Sequence, residues 1–289
     1  MEALRKVTLW ILMLVMLLCE CVVMGIFAVD AGSGQKSVAK ALAKSDIISD
    51  IVEESLKKNS VNGEAFYGET IEKLAKSDAM TEFFATYISN GIRESVYGYE
   101  VEEIAYDKLL QAVDEGIAQV NRESDVNITS DQKQIFMGAV SRTAPDLTKG
   151  LNTVISGYEA TATGEYGETA AAMENKSAIN TVMKLTTRII LIAVIAFTIM
   201  LIAMLSRSDR RGILRVAGTT LVATLLYGYA AFRGTGAVSE SSDIFLNELV
   251  KSGAGAVAIG GLVTTAIMVV IGIVVRRGRD RRKQGEFSH

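Results

Sequence analysis

LTTRIILIAVIAFTIMLIAMLSRSDRRGILR, residues 185–215, is the stretch that decides the fold of this chain. Its centre, residues 189–205, is apolar except for Thr198, and arginines follow at once. A run of this length predicts a membrane-spanning helix, and the arginines behind it mark the cytoplasmic end. The ~150 residues before this span are therefore predicted to lie outside the cytoplasm.

Three further apolar runs complete a predicted four-span integral membrane protein. They cover residues 7–29, 216–232 and 254–275. Every short basic segment then falls on the same side of the membrane, which places both termini in the cytoplasm. The first run is either a cleaved signal peptide or a retained anchor. It is longer than the ~7–15 apolar residues of a signal peptide, so we expect a retained anchor over residues 1–30.

This count predicts a multi-pass protein of the plasma membrane. An extracytoplasmic domain occupies residues 31–184, and three spans follow in residues 185–275. The remaining predicted parts are a basic cytoplasmic loop at 206–215, an outer loop at 233–253 and a basic cytoplasmic tail at 276–289.

The distribution of charged residues agrees with this division into an outer domain and a membrane part. Residues 30–184 hold 25 acidic and 15 basic residues, while the rest of the chain is net basic. The single histidine is the last residue, His289, so the commonest general base and metal ligand is missing from the interior of the sequence. Cys19 and Cys21 point to different faces of one helix and cannot pair. We therefore predict no catalytic residue, no metal site and no cofactor.

The outer domain is predicted to be a helical bundle, because no segment alternates with period two for long enough to form a strand. Helices are predicted to begin at Ser45-Asp46, at Ser77-Asp78 and near Val101. Thr129 and Gln132 fit a capping box. Pro145 suits the first turn of a further helix that ends near Gly157.

The connections between these elements are predicted from composition. Residues 31–37 are rich in small and polar side chains, which indicates a flexible linker. A helix that starts near Glu168 can run unbroken through Lys184 into the second span. Ser241-Ser242-Asp243 can cap a short amphipathic helix of the outer loop. Residues 42–46, Leu-Ala-Lys-Ser-Asp, recur 32 residues later, through either duplication or a coincidence of composition.

Glu20 is the most informative single residue, because it lies inside the first apolar run. A carboxylate there costs roughly 2.5–3.5 kcal/mol on insertion scales. We expect it to be protonated, paired or directed into a polar cavity. Its candidate partners are Arg188, Arg233, Thr220 and Thr224, and its candidate roles are structural pairing, ion or proton transfer, or contact with a partner helix.

Two stripes of small residues predict close helix packing in the last two spans. The packing is either within the chain or between copies in a homo-oligomer. The stripes are Thr220, Thr224 and Gly228, and Ala256, Gly260 and Thr264.

The last span is followed by a basic tail that suits the cytoplasmic side or anionic lipid headgroups. No folded basic module is predicted, so nucleic acid is not an expected partner. The basic residues of the tail are Arg276, Arg277, Arg279, Arg281, Arg282 and Lys283.

Aromatic residues of the outer domain suit either a ligand pocket or the core of the bundle, and we favour the core. Three of them, Phe83, Phe84 and Tyr87, recur on one face of the helix that begins at Ser77-Asp78. The others are Phe66, Tyr67, Tyr97, Tyr99 and Tyr106.

The order of anchor, helical outer domain and second span resembles the input modules of bacterial chemoreceptors and sensor kinases. Those families continue into a cytoplasmic signalling helix, whereas this chain turns back through two more spans. The repeated Leu-Ala-Lys-Ser-Asp helix starts and the arginine-capped last span resemble multi-pass membrane proteins of Gram-positive bacteria. This resemblance implies a cell-envelope location and transfers no functional residue.

The sequence favours a binding or scaffold protein of the cell envelope, not an enzyme. Its outer domain would recognise a protein or a small ligand, and its spans would contact the lipid bilayer or a membrane partner. The alternative is a small transporter, channel or ion-coupled membrane subunit that uses Glu20.

Overall fold

The computed structural model describes residues 2–58, 69–97, 99–163, 181–206, 211–235 and 243–286. For residues 160–163, 231–235, 243, 276 and 278–286 it describes the backbone alone. The described residues form helices and no strand, so the predicted all-α, four-span layout is confirmed. The chain divides into a membrane unit (residues 1–31, 182–237 and 251–289) and a helical unit (residues 32–181 and 238–250).

Among the described residues, four helices are long and apolar enough to cross a membrane. They are α1 (Glu2–Gly32), α8 (Leu185–Leu205), α9 (Gly212–Thr235) and α10 (Asp243–Glu286). Lys184 has an extended ψ of 141° before α8 begins. The prediction of an unbroken helix through Lys184 is therefore wrong.

Two apolar clusters hold the membrane unit together. One is centred on Leu9 and Met16 of α1, with Ile202 of α8 and Val216 of α9. The other joins α1, α9 and α10 through Met24, Ala28, Ala223 and Val257. Large apolar side chains such as Trp10, Phe197 and Ile267 stay exposed on the outer faces, as lipid-facing positions require.

The helical unit is built around α5. Its helices are α2 (Gln35–Leu42), α3 (Ile47–Lys58), α4 (Glu69–Ala75), α5 (Asp78–Tyr97), α6 (Tyr106–Glu123) and α7 (Ser130–Thr163). Helix α5 packs against α2, α4, α6 and α7. It places Phe84, Ile88 and Ile92 in the core, fully buried at successive turns of one face.

The two Leu-Ala-Lys-Ser-Asp copies adopt the same local structure. Each ends one helix and starts the next, and in each the serine is buried and its N–H bonds the carbonyl of the leucine three residues earlier. The copies also touch, because Lys76 of the second pairs with Asp46 of the first at 2.8 Å and with Glu72 at 2.7 Å. These contacts raise the pKa of Lys76.

The capping box predicted for α7 is confirmed. The Thr129 N–H donates to Oε1 of Gln132 at 2.9 Å, and the Gln132 N–H donates to Oγ1 of Thr129 at 3.3 Å. The prediction of a new helix at Pro145 is wrong, because α7 continues through that proline to Thr163. Proline costs a helical hydrogen bond, so tertiary packing of α7 against α3, α5 and α6 maintains the helix.

The helix predicted from Val101 begins only at Tyr106, and residues 99–105 are not helical. Three contacts hold this segment against α5, and the first is the hydrogen bond from the Tyr99 N–H to the Glu94 carbonyl at 2.7 Å. The Glu102 N–H donates to Oε2 of Glu94 at 3.1 Å. Val101 packs over Gly91, where an added Cβ would lie 3.1 Å from Cγ1 of Val101. These tertiary contacts override the local helical pattern.

The prediction of a flexible linker over residues 31–37 is also wrong. Helix α1 continues to Gly32, α2 begins at Gln35, and Ser33 between them is fully buried. The Ser33 carbonyl accepts a 2.6 Å hydrogen bond from Oγ of Ser89. A Cβ on Gly32 would lie 2.6 Å from Oη of Tyr158 and 2.8 Å from the Leu249 carbonyl oxygen, so glycine is required there.

Residues 243–250 are not a separate short helix, because they form the first two turns of the 44-residue helix α10. Phe245 and Leu249 are fully buried in the helical unit, whereas Ile244 is half exposed. Glu248 pairs with Lys44 at 2.7 Å. Ser241 and Ser242, the predicted cap, lie outside the described residues.

Candidate functional site

Glu20 lies on the buried face of α1. Met16, Glu20, Met24 and Ala28 follow one another at intervals of four residues, and all four are at least nine-tenths buried. Met16 belongs to one apolar cluster of the membrane unit, while Met24 and Ala28 belong to the other. The helical period therefore places the one carboxyl of this face between two apolar layers.

One oxygen of this carboxyl has a hydrogen-bond partner and the other has none. Oγ1 of Thr220 on α9 donates to Oε1 of Glu20 at 2.7 Å. The same hydroxyl lies 3.2 Å from the carbonyl oxygen of Val216. Oε2 of Glu20 is buried, and within the described part of the chain no group hydrogen-bonds to it.

Arg188, a candidate partner of Glu20, pairs with Asp30 instead. Its two terminal nitrogens bond the Asp30 carboxylate at 2.5 and 3.2 Å, and its Nε donates to the Met183 carbonyl at 2.9 Å. This bidentate pair joins the ends of α1 and α8. The side chain of Arg233, the other candidate, lies outside the described residues.

Two residues of the first small-residue stripe, Thr220 and Thr224, are buried in the membrane unit. Thr224 packs directly against Gly261 of α10, because a Cβ on that glycine would lie 2.3 Å from Oγ1 of Thr224. Gly228 has open space around its hypothetical Cβ. Helices α9 and α10 therefore approach each other closely at Thr224 and Gly261.

The second stripe, Ala256, Gly260 and Thr264, is exposed on α10. The packed face of this helix lies one residue further along, at Gly253, Val257, Gly261 and Thr265. Helices of Gly, Ala, Val and Thr carry small residues on several faces. The sequence alone could not tell which of two neighbouring registers would be packed.

The structure describes the backbone of the six basic residues of the tail but only one of their side chains. Helix α10 includes all six basic residues, and Arg277, the one whose side chain is described, is exposed. The side chains of Arg276, Arg279, Arg281, Arg282 and Lys283 lie outside the described part.

A cleft of about 130 Å³ in the helical unit is the second candidate site. We call it the α5–α6 cleft, because α5, residues 101–105 and Lys108 of α6 line it. Its side chains combine aromatic rings with carboxylates and one lysine. They include Phe83, Tyr87, Glu94, Glu102, Glu103 and Lys108.

The hydrogen bonds around the α5–α6 cleft fix two of its side chains. Oη of Tyr87 donates to Oδ1 of Asn152 on α7 at 3.1 Å, and Glu94 accepts the Glu102 N–H. Burial, followed by the negative charges of Glu94 and Glu103, raises the pKa of Tyr87. Glu94 and Glu103 thus bring negative charge near Tyr87.

A wider cleft of about 440 Å³ adjoins the first, and Glu103 lines both. Ser141 and Pro145 of α7 also line it. Because proline has no N–H, the Ser141 carbonyl lacks its helical donor. A hydrogen-bond acceptor and a carboxylate therefore border the same opening.

Sequence reasoning placed Phe83 and Tyr87 in the bundle core, but both are only half-buried and line the α5–α6 cleft. It missed Glu94, Glu102 and Glu103. The signal was present as Glu100-Val101-Glu102-Glu103, a dense acidic run directly after the aromatic helix. Phe66 and Tyr67 lie outside the described residues.

Among the described residues, no three His, Cys, Asp or Glu side chains come close enough together to hold a metal ion. No protein-family model matches the chain, and no curated protein or solved structure matches it either.

Proposed function

We propose that this chain is a membrane-anchored binding protein of the bacterial cell envelope. Its helical unit lies outside the cytoplasm and recognises a small alkylammonium group in the α5–α6 cleft. The observation that carries the proposal is the cleft itself, where two aromatic rings and three carboxylates converge.

The proposed orientation rests on the basic residues that flank the spans. Arg207, Arg210 and Arg211 follow α8, and six basic residues occupy 276–283. Short basic segments are retained in the cytoplasm, so the helical unit would face the opposite side. The tail would then meet the anionic lipid headgroups of the inner leaflet.

The chemistry of the cleft favours a cation. Aromatic faces attract ammonium groups, by roughly 0.5–2 kcal/mol depending on how far the site is desolvated. Phe83 and Tyr87, one turn apart on α5, offer two such faces, and the charges of Glu94 and Glu103 act in the same direction. Lys108, which also lines the cleft, opposes them, so the net preference is for one positive charge and not several.

The size of the cleft limits the ligand. Pockets that enclose drug-sized molecules measure about 300–1,000 Å³, whereas this cleft measures about 130 Å³. A single ammonium head with its methyl or methylene groups fits such a space. The wider opening beside Glu103 leaves room for the rest of the ligand.

Calorimetric titration of the full-length protein in mild detergent tests this proposal. Choline is the probe, and its uncharged analogue 3,3-dimethyl-1-butanol is the control, because the two differ in charge and hardly in shape. We expect choline to bind and its affinity to fall as salt is added. Equal binding of the uncharged analogue would exclude cation recognition.

Two pairs of variants locate the binding. Tyr87→Leu removes the ring and should weaken choline binding about three- to tenfold, whereas Tyr87→Phe keeps the ring and should retain it. Glu103→Gln should also weaken binding. Glu54→Gln removes an exposed charge from α3, outside the cleft, and is the matched control. If Glu103→Gln and Glu54→Gln behave alike, the ligand does not occupy this cleft.

A further inference from the structure

The carboxyl of Glu20 is bound on one side only. Oε1 accepts a hydrogen bond from the hydroxyl of Thr220, while Oε2 is buried without a partner among the described residues. The side chain is 8 % exposed and lies between the two apolar clusters of the membrane unit. Buried polar atoms that lack a hydrogen bond are rare in proteins. Such an atom indicates that a ligand binds there or that the group has a function.

No cation of the described membrane unit compensates this carboxyl. Arg188 is engaged with Asp30 and with the Met183 carbonyl, and Arg215 donates to Ser206 at 2.8 Å. Residues 252–275 of α10 contain no charged side chain.

The other titratable groups near Glu20 are weak acids. Cys21 is its neighbour on α1, and Tyr227 of α9 belongs to the apolar cluster around Met24. Neither supplies a positive charge. An uncompensated carboxylate in an apolar region takes up a proton, since the neutral acid is far less costly there.

Thr220 can hold Glu20 in both charge states. A hydroxyl is a donor and an acceptor at once. Its oxygen lies 2.7 Å from Oε1 of Glu20 and 3.2 Å from the Val216 carbonyl oxygen. The hydroxyl can donate to Oε1 when the carboxyl is charged, and also when Oε2 carries a proton, because Oε1 is then a carbonyl oxygen. The pair therefore needs no rearrangement of helices when a proton arrives or leaves.

The surrounding oxygens suit a proton better than a metal ion. The hydroxyls of Thr224 and Thr265 donate to carbonyls of their own helices, at 2.8 Å each. Hard metal cations need about six oxygen ligands, and no such set is assembled among the described side chains. A proton needs only one free carboxyl oxygen.

We propose that Glu20 is an exchangeable proton-binding site within the membrane unit. The proton resides on Oε2, and Thr220 holds Oε1 whether the carboxyl is charged or neutral. Binding converts the carboxylate and one proton into the carboxylic acid, with no other reactant. The proposal does not depend on whether the α5–α6 cleft of the helical unit binds a ligand.

Labelling of the full-length protein with dicyclohexylcarbodiimide at a series of pH values tests the proposal. The reagent takes the carboxyl proton onto one nitrogen while a carboxyl oxygen bonds to its central carbon, so the acid reacts and the carboxylate does not. Mass spectrometry then locates the adduct. We expect an adduct on Glu20 whose yield falls as the pH rises, and no adduct at this position in Glu20→Gln.

Two threonine variants separate the role of Thr220 from that of any buried hydroxyl. Thr220→Val removes a donor to the carboxylate and should move the half-labelling pH upward by ~1 unit. Thr198→Val is the control, because that hydroxyl donates only to the Val194 carbonyl of its own helix. It should leave the profile unchanged.

Absence of an adduct on Glu20, or a yield that stays constant with pH, overturns the proposal. If labelling of Glu20 depends on pH in the same way in Thr220→Val and Thr198→Val, the proposed role of Thr220 is wrong. If either variant fails to fold, infrared difference spectra of the wild-type protein at two pH values replace it. A carboxyl C=O band that appears at low pH and shifts in D₂O is then expected, and a spectrum without it counts against the site.

Discussion

At the residue scale, the absence of a side chain at Gly32 is required for the packing of the helical unit. Gly32 lies where Tyr158 of α7 and the Leu249 carbonyl of α10 approach one backbone position within the helical unit. Because backbone atoms cannot move aside as a flexible side chain can, a methyl group there would force the elements apart. Sequence inspection assigned this glycine to a flexible linker, since composition does not reveal what packs against it.

Gly32→Ala is therefore expected to destabilise the helical unit by about 1–3 kcal/mol, the usual cost of overpacking. Thermal unfolding of the full-length protein, followed by circular dichroism, measures the loss. Gly138→Ala is the matched control in α7, where nothing lies within 4 Å of the added Cβ. That substitution should raise stability by about 0.5–1 kcal/mol, because alanine favours helix. Similar effects of the two would refute the close contact at Gly32.

At the element scale, the boundaries that sequence predicted well are those set by local chemistry. The capping box at Thr129 and the helix starts after Ser45 and Ser77 need only a few neighbouring residues, and the structure has all three. The boundaries that it missed depend on partners distant in sequence. Glu94 and Gly91 hold residues 99–105 out of α6, and tertiary packing carries α7 through Pro145.

The same contrast applies to the candidate sites. Glu20 was visible in the sequence because a carboxyl inside an apolar run is conspicuous. Its partner Thr220 could not be selected from four candidates, because the choice depends on how α1 packs against α9. The α5–α6 cleft depends on a non-helical segment that local patterns predicted to be helical.

A threonine-to-alanine substitution is expected to have different effects at the cap of α7 and within the helix. Thr129→Ala removes the hydroxyl that accepts from the Gln132 N–H and should cost about 0.5–2 kcal/mol. Thr153→Ala removes an exposed hydroxyl that donates to the Lys149 carbonyl, and it should be neutral or slightly stabilising. Chemical denaturation of both variants decides this, and equal costs would show that the cap contributes nothing.

At the scale of the whole molecule, the helical unit is discontinuous in sequence. Its core includes Phe245 and Leu249, which are separated from residues 32–181 by two membrane spans. Leu246 of the same two turns lies against Gly157, and Glu248 pairs with Lys44. A fragment that ends before residue 243 therefore lacks part of its own core.

Phe245→Ala should destabilise the helical unit by about 3–5 kcal/mol, since it leaves a cavity in a fully buried position. Hydrogen–deuterium exchange of the α5 amides in the full-length protein reports this directly, because their slowest exchange requires opening of the core. Ile244→Ala is the adjacent control, half exposed, and should change exchange little. Unchanged α5 exchange in Phe245→Ala would remove residues 243–250 from the core.

The discontinuity also sets an order of events during synthesis. The ribosome completes α7 at Thr163 but must add ~80 more residues before Phe245 emerges, which takes ~4–16 s at typical elongation rates of 5–20 residues per second. During that interval two spans enter the membrane while the space for Phe245 and Leu249 stays unfilled. The helical unit can finish folding only after the first three spans have been made, so their insertion precedes completion of the domain.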